Sequence, residues 1–299
     1  MKVLITGSSG FIGKHTAGLL EANNKLQVVG LDKKDIQEGD LQKNLLTDYH
    51  GCLERVDVVV HMAAETFVDK SVHSPECFIQ NNVVATFNLL EEARKYKPKK
   101  FIYVSTDEVY GSIEKGLFAE DAPLNPGNPY SATKACGEML CKAYHNTYGV
   151  PIVIVRPENN YGYAQHQQKA IPTWIKHCLE NRPLPLYGDG KHRRMWLRVE
   201  DMASAIETII FSGKIGETYN IGGYQEHANI DVVNKICEIL GVKPSITYIP
   251  DDRVRKGHDR RYGIDCERIR SLGWSPKYTL ESGLEEVVNW FKTNDWWLR

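Results

Sequence analysis

Two clusters of side chains in this 299-residue chain could do chemistry. The first is Thr106-Asp107-Glu108, a hydroxyl and two carboxyl groups that follow the apolar run 101–104 after Ser105. Neighbouring carboxyl groups held in opposite protonation states can give one proton and take another. The same three residues also suit a solvated loop with a helix-capping Asp. The second cluster is Tyr130 and Lys134. At i, i+4 on a helix they share one face. An ammonium beside a phenol favours the phenolate, and a tyrosine tuned in this way can act as a general base towards a substrate hydroxyl. By spacing alone the pair reads as an ordinary surface pair.

The elements that must position these groups read as strands alternating with helices. Residues 3–6 are a short apolar run, a buried strand. Gly7, Gly10 and Gly13 follow as G-x-x-G-x-x-G, and Ile12, Thr16, Leu19 and Leu20 continue at helical spacing. Strand, glycine turn and helix together form the context of a phosphate-binding turn, with the helix N-terminus offering free N–H groups to a pyrophosphate. Residues 27–31 are the second strand, ended by Asp32. A carboxylate there suits the adenosine ribose hydroxyls and points to NAD over NADP. Lys33 and Lys34 are the competing signal, since they suit a 2′-phosphate. Asp40-Leu41 ends a very short third strand and suits an adenine edge. Residues 56–60 are a further buried strand leading to Ala63-Ala64, small enough for a cofactor to lie against the backbone or simply for close packing. A helix is expected over 76–95, with Ile79, Val83, Phe87 and Leu90 on one stripe, before the strand 101–104. Ligands bind beyond the carboxyl ends of strands in open parallel sheets, which is where Thr106, Asp107 and Glu108 fall.

A Pro- and Gly-rich link, 123–129, separates that strand from Tyr130. Residues 151–155 are another strand, then Lys169 opens a helical stretch and Pro185-Leu186-Tyr187 forms an apolar slot fit for a nucleobase. Residues 200–211 read as a helix and 218–221 as a strand returning to the sheet. Asn229 begins a helix with Val232, Val233, Ile236 and Leu240 inward, and a last helix buries Leu280, Leu284, Val287, Val288 and Phe291. Trp290, Trp296 and Trp297 are expected to pack. The fold class expected is α/β, a doubly wound parallel sheet of Rossmann type with a smaller C-terminal α/β substrate domain. Residues 1–160, joined by 196–221, form the dinucleotide domain, and 161–195 with 222–299 form the other.

Lys plus Arg is 37 against 38 for Asp plus Glu, a net charge of −1, which argues against nucleic-acid or membrane-surface partners. Seven cysteines without a CxxC argue against a metal site and suit a reducing compartment, each as a small buried apolar residue. No apolar stretch approaches a membrane span, and the N-terminal run is too short for a signal-peptide core. A cytoplasmic location is expected.

The glycine turn, the Ala63-Ala64 step, Ser105-Thr106 and Tyr130-x-x-x-Lys134 together resemble the extended short-chain dehydrogenase/reductase family over essentially the whole chain. Thr106-Asp107-Glu108-Val109-Tyr110-Gly111 is similar to its nucleotide-diphosphoglucose 4,6-dehydratase branch, as is Gly257-His258-Asp259-Arg260-Arg261-Tyr262. The resemblance implies a hydro-lyase with tightly bound NAD that makes a 4-keto-6-deoxy sugar nucleotide, from dTDP-glucose first, with UDP-glucose or another nucleotide hexose as alternatives. A C4-epimerase or decarboxylase on the same fold is the other alternative. It implies that Tyr130 takes the C4 hydroxyl proton, Lys134 holds the tyrosine and the nicotinamide ribose, Glu108 removes the C5 proton, Asp107 protonates the departing C6 hydroxyl, and Thr106 holds the sugar near C4. Phe11, Ile12, Lys33, Asp40, Leu41, Met62, Thr66, Asn81 and Asn160 join the glycines, Asp32, Ala63, Ala64, Tyr130 and Lys134 around the cofactor. Thr66, Asn159, Lys169, Ala170, Pro185, Leu186, Tyr187, Arg194, Arg255, His258 and Tyr262 join the catalytic residues around the substrate. Asn229 does so too by this resemblance, with helix capping as its rival role. A homodimer through the helices at 76–95 and 130–147 is implied as well. Glu158 and Met195 depart from the family's small and acidic residues, Val254 is extra, and the region between Asp32 and Val56 is short.

Overall fold

The computed structural model describes residues 1–34, 36–250 and 259–298. Among these, β1 (Lys2–Thr6), β2 (Gln27–Asp32), β3 (Leu41–Gln42), β4 (Val58–His61), β5 (Lys100–Val104), β6 (Ile152–Pro157) and a last strand Thr218–Ile221 join in one sheet. Their spatial order is Thr218–Ile221, β6, β5, β4, β1, β2, β3, and every pairing is parallel. The strand sequences are apolar on both sides because helices cover both faces of a parallel sheet. Val3, Ile5, Val58 and Val60 enter one core cluster, with Met202 and Ile206. Leu4, Val59, Phe101 and Tyr103 point the other way into a second, with Leu89 and Leu90. A third cluster lies beyond the sheet and joins Tyr161, Trp174, Leu186, Val233, Leu284 and Phe291.

The chain starts in mid-sheet, runs out through β2 and β3, then crosses back to β4 on the other side of β1. That reversal opens a crevice at the carboxyl ends of β1 and β4. The 20-residue helix Pro129–Tyr148 carries Tyr130 and Lys134. Asn128 and Ser131 close a reciprocal capping box, Pro129 occupies the first turn, and Gly149 ends the helix in the left-handed conformation. This start leaves no slack in where Tyr130 stands.

Three local expectations are corrected. The helix at 76–95 is broken into Pro75–Phe78, a π turn Ile79–Val84 and Ala85–Tyr96. A π turn inserts one residue into the helical register, so Ile79 and Phe87 are turned outward (50% and 43% exposed) while Asn82, Leu89 and Leu90 face in. Cys136 is exposed and Cys77 half-buried, unlike the other five thiols. Trp296 is exposed, whereas Trp290 and Trp297 pack on the third cluster.

Candidate active site

A cleft of about 570 Å³ opens at the sheet reversal. Gly7 begins it in the left-handed region, φ 75°, and a Cβ there would strike the Ala63 backbone at 2.8 Å. A Cβ on Gly13 would fall on the Gly7 carbonyl. The glycine turn is thus bare because two backbones and a helix start converge on it. Gly7, Gly10, Phe11, Ile12, Gly13, Met62, Ala63, Ala64 and Thr66 all line the cleft. The Asp32 carboxylate, also on the wall, accepts backbone N–H bonds from Ser9 (3.2 Å), Lys33 (2.7 Å) and Lys34 (3.3 Å). Lys33 Nζ donates to Asn81 Oδ1 at 3.2 Å, and both residues line the same end. Asp40 and Leu41 are not on the wall: Asp40 Oδ1 is taken by the Gly30 N–H at 2.7 Å. Lys43, Asn44, Leu45 and Leu46 stand there instead. Sequence reasoning missed these four, because a two-residue strand leaves no periodicity to read.

At the other end β5 delivers Thr106, which caps a 3₁₀ turn, Asp107–Tyr110, by accepting the Glu108 N–H at 3.3 Å. The Thr106 hydroxyl donates to Asp107 Oδ1 at 3.0 Å and lies in hydrogen-bond reach of the Tyr130 phenol. The turn sends the two acids into different surroundings. Asp107 is 2% exposed. Burial, then the neighbouring Glu108 charge, pushes its carboxyl up to about 7. Glu108 is half-buried, with Asn128 Nδ2 donating to its Oε2 at 3.3 Å. The turn is braced from below. Tyr110 stacks on Phe118, ring centroids 4.9 Å apart, donates to Asn220 Oδ1 at 2.8 Å and accepts from Arg156 at 2.5 Å. Arg156 and Glu138, 1% and 0% exposed, form a two-point ion pair at 2.9 and 2.6 Å.

Tyr130 and Lys134 share a helix face and both line the cleft. Their coupling differs from expectation. Burial, then the Glu108 charge, holds the phenol above the ordinary tyrosine range. The Lys134 ammonium rests 4.5 Å over the Tyr103 ring instead, and burial brings Lys134 down to about 8. His61 behind them is structural: its ring nitrogens meet the Thr6 and Thr86 hydroxyls at 2.7 and 2.9 Å.

The far wall comes from the second half of the chain. Asn159 and Asn160 line the cleft, each with a buried Oδ1 that no donor reaches among the described residues; such orphaned acceptors mark a place where a ligand's donors fit. Lys169, at the N-cap of helix Ala170–Leu179, donates to the Thr66 carbonyl at 2.9 Å and so ties the two walls, with Ala170 beside it. The Arg194 guanidinium stacks 4.1 Å from the Tyr262 ring and donates to the Asp259 carbonyl at 2.8 Å; Arg194 and Tyr262 both line the cleft. Trp196, Gln165 and His166 line it too and carried no sequence signal. Pro185, Leu186, Tyr187 and Asn229 are not on this wall. Leu186 is packed in the third cluster, Pro185 gives its carbonyl to the Trp174 indole at 2.9 Å, and Asn229 starts the helix Asn229–Leu240. Arg255 and His258, with Val254, lie outside the described residues. Among those described, no helix is long and apolar enough to cross a membrane and no cluster of ligands could hold a metal.

A glycine turn, a ribose-height carboxylate and a Tyr-Lys helix around one crevice define an NAD-type α/β enzyme. The family model "NAD dependent epimerase/dehydratase family" matches residues 3–222, and the chain belongs to that family. The dTDP-glucose 4,6-dehydratase of Xanthomonas campestris pv. campestris is 40% identical, over 99% of this chain and 94% of that protein. The structure of DesIV, a dTDP-glucose 4,6-dehydratase from Streptomyces venezuelae with NAD and dTDP bound, aligns at TM-score 0.93 and 36% identity, covering 99% and 98% of the two chains. A UDP-glucuronic acid 4-epimerase from Bacillus cereus aligns at TM-score 0.93 and 30% identity, covering 98% and 100%.

Proposed function

We propose that this protein is an NAD-dependent hydro-lyase that converts a nucleotide-diphosphoglucose, dTDP-glucose first, into the 4-keto-6-deoxy sugar nucleotide. The observation that carries this reading is the acid pair. Asp107 is buried with its pKa raised to about 7, and Glu108 beside it is held by an amide, both at the end of the cleft shared with Tyr130. Inverting C4 requires no such pair; removing water across C5–C6 requires one proton taken and one given.

The glycine turn, Asp32, Lys33, Met62, Ala63, Ala64, Thr66, Asn81 and Asn160 would hold NAD. When bound it would supply a hydride acceptor for C4 and a hydride donor for C6, and its cationic ring would favour the phenolate. Tyr130 then accepts the C4 hydroxyl proton, with Thr106 bridging phenol and Asp107. Lys134 keeps cationic charge behind the tyrosine. The C4 ketone acidifies C5–H, Glu108 takes that proton, Asp107 protonates the C6 hydroxyl, which leaves as water, and Glu108 gives its proton back to C5 as hydrogen is restored at C6. Thr66, Asn159, Lys169, Ala170, Arg194 and Tyr262 are the substrate side. Arg194 suits the diphosphate because its planar fork can bind two oxygens. Roles for Pro185, Leu186, Tyr187 and Asn229 require the nucleotide to reach past the wall described. In this reading residues 1–160 with 196–221 hold the cofactor, 161–195 and 222–299 hold the sugar nucleotide, and the protein acts in the cytoplasm.

Incubation with dTDP-glucose or UDP-glucose, followed by mass spectrometry, tests the reaction. Loss of one water is expected, and unchanged mass with C4 inversion overturns it. Gly13→Val places carbon against the Gly7 carbonyl; the cofactor released on denaturing the purified protein should fall at least about tenfold, which corresponds to about 1.4 kcal/mol of binding.

A homodimer is the matching assembly proposal. Val72, Ile79, Phe87 and Met139 are exposed apolar side chains on the helical layer at 68–96 and 129–148, and apolar surface gathered in this way suits a partner. Phe87→Glu with Met139→Glu should convert the sedimenting species to the 34.0 kDa monomer. A monomeric parent protein overturns the assembly.

A further inference from the structure

Glu158 is a buried acid that the steps above leave unused. It follows β6 on the cleft wall and is 2% exposed. Its backbone is committed, N–H to the Ile221 carbonyl and carbonyl to Asn160 Nδ2, each at 2.9 Å. Neither carboxyl oxygen receives a hydrogen bond from a nitrogen or hydroxyl among the described residues, and Asp107 Oδ2 is in the same condition. The register explains why they meet. Val104 of β5 pairs with Val155 of β6, so Asp107 and Glu158 leave the sheet at the same level, and their carboxyl groups lie in hydrogen-bond reach.

Two buried carboxylates in contact repel, and an unpaired buried charge is costly. One proton between them satisfies both orphaned oxygens. The groups around the pair favour keeping it. Among the described residues, Arg194 is a cation that faces both acids. Against it stand the carboxyl groups of Glu108 and Glu226, with the Cys266 thiol near Glu158 and the Tyr130 and Tyr262 phenols near Asp107.

We propose that Glu158 is a positioning residue for water elimination: it holds one proton jointly with Asp107 and so keeps Asp107 able to protonate the departing C6 hydroxyl. When that proton passes from Asp107 to the C6 hydroxyl, its bond to the pair breaks, the O–H bond of the departing water forms and two carboxylates remain. The proton that Tyr130 gained from the C4 hydroxyl balances the one lost from the pair, and exchange with solvent in the open cleft resets both. Burial, then the Asp107 charge, holds Glu158 well above the usual carboxylate range, in keeping with this.

The role rests on the dehydratase reading, so the test has one arm without turnover. Infrared titration of the substrate-free protein should show a buried protonated carboxyl that persists to about pH 7, where burial places Asp107 and far above the ordinary carboxylate range. Glu158→Gln and Asp107→Asn should each remove it. In turnover, the amide introduced by Glu158→Gln would donate to the Asp107 carboxylate and favour its charged form. The alkaline limb of water elimination should then move down by about one pH unit, roughly tenfold slower on that side. KM should be unchanged, and Glu158→Asp should restore part of the limb. A wild-type protein with no protonated carboxyl at that pH, or an unmoved limb in Glu158→Gln, overturns the proposal. A clear carboxyl signal in a protein that dehydrates no sugar nucleotide overturns the dehydratase reading and the role in elimination, while the shared proton stands.

Discussion

Glu108→Gln should cut formation of the dehydrated sugar nucleotide by about 10²–10⁴-fold, the range of one general-base step. The amide keeps the shape of the side chain, and Asn128 can still reach its oxygen, so the turn should stay folded. What is lost is the proton acceptor for C5. In heavy water, the sugar recovered from Glu108→Gln should carry no deuterium at C5. Asp107→Asn should lose water elimination to a similar extent yet still exchange C5, because the base remains and only the acid is gone. Combining the two substitutions should cost little more than either alone, since groups that act as a unit are not additive. Equal C5 exchange in the two single variants would remove the division of labour between the acids.

Stability should be most sensitive beneath that turn. Glu138→Ala strands the Arg156 guanidinium, which is 1% exposed and otherwise shared with the Tyr110 hydroxyl and the Glu120 carbonyl. Breaking one side of a buried ion pair typically costs about 3–5 kcal/mol, a large fraction of a domain's net stability. Denaturant unfolding at neutral pH would measure it. Arg156→Met with Glu138→Leu should recover much of the loss by removing both charges together. Activity should recover less, since Tyr110 loses its donor and the Asp107–Tyr110 turn loses a brace. A Glu138→Ala variant as stable as the parent would show that the pair is not what holds this layer.

Much of the site was legible as local pattern. Apolar runs became the strands of a parallel sheet because burial on both faces leaves a continuous signal. The glycine turn, Asp32, Thr106-Asp107-Glu108 and Tyr130–Lys134 were readable because each needs only a few neighbouring residues, and all of them line one cleft. The outward turn of Ile79 and Phe87 was not legible, because a π turn changes the register without changing composition. That Lys43, Asn44, Leu45 and Leu46 line the cleft while Asp40 and Leu41 do not depends on where a two-residue strand ends.

Sequence by itself determined which chemical groups this protein has and on which local elements they ride. The tertiary structure decided how they are charged and paired. Lys134 lies on Tyr103 because burial in the second core cluster's layer brings that ring under the ammonium. Asp107 meets Glu158 because β5 and β6 are neighbours in register. Burial and long-range contact shift proton affinities, and both arise only once distant strands have been brought side by side.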